Sequence, residues 1–135
     1  MNESAFQLAQ SFQPNVVIVM LGTNDAGLDV SPESFTQDYT TLVETFKGLQ
    51  TKPAVFIVQP PPIVNSTTLS NAKLTDTIIP AIAATAHQTG ATLVDAYTPM
   101  LNHEGSYTDG VHPDADGAKV IADAIYASLK QAGHN

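Results

Sequence analysis

The sequence contains no cysteine, and only 5 of its 135 residues are lysine or arginine. Without cysteine, neither a disulfide framework nor a thiolate metal site can form. Nucleic-acid binding needs clustered basic side chains that neutralise phosphates, and a formal net charge of −8 opposes it. These shortages exclude nucleic acid as a partner and cysteine as a metal ligand.

Long apolar runs are also missing. The longest, residues 16–21, is the length of a strand, whereas a membrane-spanning helix needs about 20 apolar residues. Residues 1–14 have no basic start and no continuous apolar stretch, so they do not predict a secretory signal. We expect a soluble chain with no membrane partner. Its compartment stays open, and a secreted origin is compatible with the sequence.

Hydrophobic residues make up 43% of the sequence, which suits one globular domain with a core. Three short apolar runs, residues 16–21, 54–58 and 91–96, are each followed by a helical pattern. The first run predicts a strand buried on both faces of a parallel sheet. Strands that alternate with helices predict an α/β fold with helices on both faces of the sheet.

Each helix has recognisable signals. The first begins at Pro32 after an N-cap at Ser31 and ends near Gly48. The apolar stripe of the second covers residues 74–86, and Pro80 inside it should kink or divide the axis. The last helix runs from about residue 114 to residue 130.

Two polar clusters lie where such a sheet would place a site, beyond the carboxyl ends of its strands. Gly-Thr-Asn-Asp, residues 22–25, follows the first strand, and Asp-Gly-Val-His-Pro, residues 109–113, precedes the last helix. An Asp three residues before a His can accept from the imidazole and fix its tautomer. An Asn at the end of a strand can donate to a developing oxyanion, typically worth about 3 kcal/mol of barrier. The candidate catalytic residues are therefore Asp109, His112 and Asn24.

The two clusters, in this order on this framework, resemble those of the SGNH hydrolases, or GDSL family, and the resemblance covers essentially the whole chain. It implies a three-layer, flavodoxin-like α/β fold, here partial, with three parallel strands and flanking helices in a single domain, residues 1–135. It also implies a serine esterase mechanism. In that mechanism His112 is the general base, Asp109 its orienting acid, Asn24 an oxyanion donor and Gly22 a backbone contributor, while Thr23, Asp25 and Val111 contact substrate.

The substrate class also follows from the resemblance. Three prolines after the second strand, residues 60–62, together with residues 109–113 and the Gly-Ala-Lys of residues 117–119, are most similar to acetylesterases that act on sugars. The sialate O-acetylesterase-like group is the one this pattern most resembles. This implies that the substrate is a small-molecule or glycan ester, namely an acetyl ester on a carbohydrate. It implies no metal and no organic cofactor.

One feature of that family is missing from the sequence. Family members begin with a strand that ends in Gly-Asp-Ser, where the serine attacks the ester, and no serine here follows Gly-Asp. We expect an N-terminally incomplete domain, which either is truncated or docks onto an upstream partner or a second copy. In the usual strand order the missing strand neighbours residues 16–21, so their exposed edge invites self-association. A catalytically inactive remnant or interaction module is the alternative function.

Each candidate residue also has a purely structural interpretation. His112 could be an ordinary loop histidine before a helix, and Asp109 a turn former before Gly110. Asn24 and Asp25 could form a plain turn, and for Asp25 a hydrogen bond that braces the loop is the favoured role.

Two neighbouring features allow alternatives as well. Residues 114–117, Asp-Ala-Asp-Gly, resemble part of a calcium loop but lack its later ligands, so they predict acids at a helix N-terminus. Tyr97 and Tyr107 flank the site and either contact substrate or pack within the loop.

Overall fold

The computed structural model describes residues 4–134, which form a sheet of three parallel strands flanked by helices. The spatial order of the strands is the same as their order along the chain. The predicted α/β fold is confirmed, although the outer strands are shorter than the apolar runs that predicted them. The strands are β1 (Val16–Val19), β2 (Ala54–Gln59) and β3 (Thr92–Asp95).

Helices precede, separate and follow the strands. The first and the fifth were not predicted. The helices are α1 (Ser4–Ser11), α2 (Pro32–Lys47), α3 (Asn71–Lys73), α4 (Ile79–Thr89), α5 (Tyr97–Met100) and α6 (Ala115–Gln131).

The predicted helix starts are confirmed by their capping bonds. The side chain of Ser31 accepts the N–H of Ser34 at the start of α2. The carboxylate of Asp114 accepts the N–H groups of Asp116 and Gly117, each at 2.9 Å, at the start of α6. Residues 114–117 therefore begin a helix, as the sequence predicted.

Pro80 divides the second helical region without breaking it. The five residues Leu74–Ile78 wind as a π-helix between α3 and α4. Pro80 then falls in the first turn of α4, where a proline fits because the first N–H groups of a helix have no intrahelical acceptor. The sequence predicted that this helix would be irregular near Pro80. The irregularity is the wide turn of a π-helix.

The helices form a layer on each face of the sheet. Helices α2 and α4 pack on the face that includes Val17 and Ile57, and α6 packs on the face that includes Phe56 and Val94. The central strand β2 is consequently buried on both sides. For β1 that prediction was wrong, because Ile18 is 44% exposed. The α6 layer lies over β2 and β3 and reaches β1 only at Val16.

Strand β1 also forms an edge of the sheet. Among residues 4–134, no strand pairs with its outer side. The side chains of Ile18, Met20 and Leu21 are exposed beside this edge. Within the described part of the chain, helices are all too short or too polar to cross a membrane.

Candidate active site

The first polar cluster forms a short turn after β1. Residues Asn24–Gly27 wind as one 3-10 turn, whose Ala26 is buried in the core between the sheet and α2 and α4. The side chain of Asn24 is exposed on the outer side of this turn. Burial of Ala26 thus anchors the turn and leaves Asn24 free to face a ligand.

The second polar cluster forms a tight turn before α6. The Oδ1 atom of Asp109 accepts the backbone N–H of Val111 at 2.9 Å and that of His112 at 2.8 Å. Its Oδ2 atom lies 2.7 Å from Nδ1 of the His112 ring. The carbonyl of His112 in turn accepts the backbone N–H of Thr108 at 2.9 Å and its hydroxyl at 3.0 Å. Local hydrogen bonds therefore hold the Asp109 carboxylate against the imidazole.

These hydrogen bonds also set the charge of the carboxylate. They lower the pKa of Asp109 from 3.8 to about 2, chiefly through the backbone N–H of His112, then through its ring and the N–H of Val111. The carboxylate is therefore ionised at neutral pH. Because it accepts from Nδ1, the neutral imidazole carries its proton there and presents the Nε2 lone pair on its open side.

The two clusters lie at the same cleft. The side chains of Asn24, Asp109, Val111 and His112 line a cleft of about 420 Å³, and residues 65–69 form its remaining wall. The structure thus brings together a potential oxyanion donor, a potential base and its orienting acid at the carboxyl ends of parallel strands, where ligands bind in α/β sheets. Such a set suits acyl transfer.

Three other residues that the resemblance assigned to the site do not line this cleft. Gly22 is buried, against the side chain of Ile78. Thr23 precedes the 3-10 turn. Asp25 lines a separate groove with Leu21 and braces the turn through its backbone carbonyl, which accepts the N–H of residue 28 at 3.1 Å.

The wall formed by residues 65–69 was not predicted from the sequence. The three prolines of residues 60–62, which carry part of the resemblance, are buried and do not line the cleft. The polar run Asn-Ser-Thr-Thr, residues 65–68, was the available signal, since it follows a strand at its carboxyl end. Such a run is also ordinary for a surface loop, so by its composition alone it does not indicate a site.

The two flanking tyrosines pack within the structure and lie outside the cleft lining. The hydroxyl of Tyr97 accepts from Nδ2 of Asn71 at 3.1 Å. The hydroxyl of Tyr107 is buried without a hydrogen-bond partner among residues 4–134, and this burial raises the pKa of Tyr107 to about 12. Of the two alternatives for these residues, the geometry favours packing.

Known proteins are similar to this chain in sequence or in fold. An acetylxylan esterase from Xylanibacter ruminicola is 30% identical over 155 residues, which cover 96% of this chain and 32% of that protein. A GDSL-like lipase from Bacteroides thetaiotaomicron superposes with a TM-score of 0.77 at 22% identity, over 94% of this chain and 68% of that chain. A carbohydrate esterase of family 3 from Talaromyces cellulolyticus superposes with a TM-score of 0.74 at 22% identity, over 96% of this chain and 64% of that chain. The chain therefore spans 32% of the acetylxylan esterase that it matches.

The family itself is also identified by sequence. The model of the GDSL-like lipase/acylhydrolase family matches residues 2–120, which include both polar clusters. The resemblance that the clusters indicated is thereby confirmed, and the chain belongs to the GDSL-like lipase/acylhydrolase family.

Proposed function

We propose that this chain carries the general base, the orienting acid and one oxyanion donor of an ester hydrolase. The observation that carries the proposal is the 2.7 Å contact between Nδ1 of His112 and Oδ2 of Asp109, in a cleft that Asn24 also lines. An imidazole oriented by a carboxylate can take the proton of an attacking hydroxyl. A side-chain amide in the same cleft can stabilise the oxyanion that forms.

The proposed nucleophile is a serine hydroxyl from polypeptide outside residues 1–135, since no serine of this sequence follows Gly-Asp. As its Oγ bonds to the ester carbonyl carbon, Nε2 of His112 takes the hydroxyl proton, and Asp109 stabilises the imidazolium. The amide of Asn24 donates to the oxyanion. Collapse of this intermediate expels the alcohol, which receives the proton from Nε2. Water then releases the acid by the same steps.

The proposed substrate is an acetyl ester of a carbohydrate. The acetylxylan esterase relative supports this class. The cleft wall supports it too, because Asn65, Thr67 and Thr68 present an amide and two hydroxyls, which match the hydroxyls of a sugar. Only Leu69 and Val111 are apolar among the lining residues, whereas a long acyl chain requires a larger apolar surface. The sialate-type sugar that the sequence pattern indicated stays a prediction.

The proposed docking place for the nucleophile strand is the outer edge of β1. Its backbone groups are unpaired on that side within the described residues, and Ile18 and Met20 expose apolar surface next to them. A strand bearing Gly-Asp-Ser would pair with these backbone groups and cover this apolar surface. A size measurement tests this: the chain should bind a strand peptide one to one. A folded monomer that binds no peptide contradicts the proposal, and a homodimer would assign the edge to a second copy.

An inactive interaction module is the second candidate function. One contact favours it: Ser66, the serine of the cleft, uses its Oγ to accept the backbone N–H groups of Thr68 and Leu69, at 3.2 and 3.0 Å. This hydroxyl is engaged in its own turn and does not contact the imidazole. In residues 4–134, Asp109 is the hydrogen-bond partner of Nδ1 of the His112 ring, and no hydroxyl makes a hydrogen bond to Nε2.

The hydrolysis of p-nitrophenyl acetate separates the two functions. The chain is assayed alone and with a peptide in which an apolar strand ends in Gly-Asp-Ser, taken from the reading frame upstream of Met1 or, if that frame has none, from the acetylxylan esterase relative. We expect the peptide to raise the rate in the parent chain and not in His112→Ala. The variant His87→Ala, which removes an exposed histidine on α4, is the matched control for hydrolysis by imidazole alone. If the rate stays at background in every sample, the inactive interaction module is the function that remains.

A further inference from the structure

The cleft wall is attached to both turns that carry the proposed catalytic side chains. At one end of residues 64–70, the N–H of Val64 donates to the carbonyl of Gly110 at 2.8 Å, within the turn of Asp109 and His112. At the other end, the N–H of Ser70 donates to the carbonyl of Ala26 at 3.3 Å, within the turn of Asn24. One short segment therefore connects the oxyanion turn to the turn of the base.

Glycines allow close backbone contact at both attachments. A Cβ added to Gly110, which has φ of +85°, would lie 2.5 Å from the carbonyl oxygen of Asn65. A Cβ added to Gly27 would lie 2.7 Å from the carbonyl oxygen of Thr68. Both clashes are with backbone atoms, which cannot rotate away. The segment thus packs directly against each turn, backbone against backbone.

The middle of the segment is held by its own hydrogen bonds. The Oγ atom of Ser66 accepts the N–H groups of Thr68 and Leu69 and so forms an ST turn. The side chain of Leu69 is partly buried against the core that α2 and α4 share. The segment therefore has one internal brace, Ser66, and one apolar anchor, Leu69.

The base of the segment is closed by a single side chain. The Oδ1 atom of Asn71 accepts the N–H of the buried Ile63 at 2.9 Å, and its Nδ2 atom donates to the hydroxyl of Tyr97 at 3.1 Å. This amide ties the two ends of the segment to each other and to α5. Both ends of residues 64–70 are thus tied, and the middle is braced by Ser66.

We infer that residues 64–70 are a positioning element, which sets the separation and orientation of Asn24 and His112, and that Ser66 is its central positioning residue. The inference rests on the proposed function, which gives these two side chains one substrate. Their relative placement matters because a misplacement of about 1 Å can lower a rate about 100-fold. Ser66 acts through the segment, since its Oγ accepts two of the segment's own backbone N–H groups.

Backbone ¹⁵N relaxation of the 135-residue chain tests the inference without substrate. We expect Ser66→Ala to lower the order parameters of residues 24–27 and 109–112 from about 0.85 to about 0.6 or below. Ser66→Thr, which keeps the Oγ acceptor, should restore them. Ser11→Ala, which removes an exposed hydroxyl on α1, should change neither turn. If Ser66→Ala mobilises residues 66–69 alone, the inference is overturned.

A second variant works from the other end of the segment. Gly110→Ala places a Cβ against Asn65, so residual dipolar couplings should report a reorientation of residues 24–27 as well as of residues 109–112. A change confined to residues 109–112 also overturns the inference. Because neither measurement uses turnover, a failure here leaves the esterase proposal intact, and absent esterase activity leaves this result intact.

Discussion

The Nδ1 atom of His112 lies 2.7 Å from Oδ2 of Asp109, while Oδ1 of the same carboxylate accepts the backbone N–H of His112 at 2.8 Å. One carboxylate thus fixes both the ring and the backbone of its partner. The two side chains are nevertheless 77% and 55% exposed, His112 being the more open. Because this pairing depends on local hydrogen bonds, changes in it should affect catalysis far more than folding.

The first prediction concerns the charge of Asp109. In the peptide-complemented esterase, Asp109→Asn should lower kcat by about 10⁴-fold, because a neutral amide can stabilise the wrong imidazole tautomer. The urea midpoint of the chain should change little, since the side chain is exposed. The control is Asp123→Asn, which removes another exposed carboxylate, one paired with Lys119 on α6. A loss of activity in both variants would mean that Asp109 has no special role.

The second prediction concerns the titration of Asp109. The ¹³C shift of its carboxyl should titrate with a pKa of about 2, below its usual 3.8. Because the folded-state pKa is lowered, the stabilisation is fully present above about pH 4 and is lost as the pH falls through about 2. His112→Ala should raise the pKa only part of the way, since the backbone N–H groups of residues 111 and 112 remain. A full return to 3.8 would contradict the leading role of the backbone.

The third prediction compares two isoleucines on adjacent strands. Ile57 on β2 is fully buried, whereas Ile18 on β1 is 44% exposed. Ile57→Ala should lower the free energy of unfolding by about 2–5 kcal/mol, because it leaves a cavity in the core. Ile18→Ala should lower it by less than about 1 kcal/mol. Urea denaturation of the two variants measures the difference, and equal losses would show that β1 is covered on both faces in solution.

Those features that the sequence predicted depend on local chemistry. The N-cap at Ser31, the acids at the start of α6 and the Asp109 and His112 turn are each fixed by hydrogen bonds between residues two or three positions apart. The apolar runs likewise located the three strands. Local patterns of this kind are readable because the interacting residues are neighbours in the sequence.

What the sequence did not predict depends on which elements meet in space. The exposure of Ile18 follows from the reach of α6 across the sheet, and no pattern within β1 encodes it. The cleft wall at residues 65–69 became part of the site through contacts with Gly110 and Ala26, which are distant in sequence. Gly22 was assigned to the site by the family resemblance, as a backbone contributor, although it is buried and a side chain there would meet Ile78, Ile82 and Phe35 of the core.

The last prediction concerns the oxyanion donor. In the complemented esterase, Asn24→Ala should lower kcat by about 10²–10³-fold and leave KM nearly unchanged, because its amide would bind charge that develops only in the transition state. Asn102→Ala, which removes an exposed amide outside the cleft, is the matched control. Steady-state kinetics of both variants decide the role of Asn24. If Asn24→Ala raises KM at constant kcat, its side chain binds the substrate equally in the ground and transition states, and the oxyanion must be stabilised by other donors.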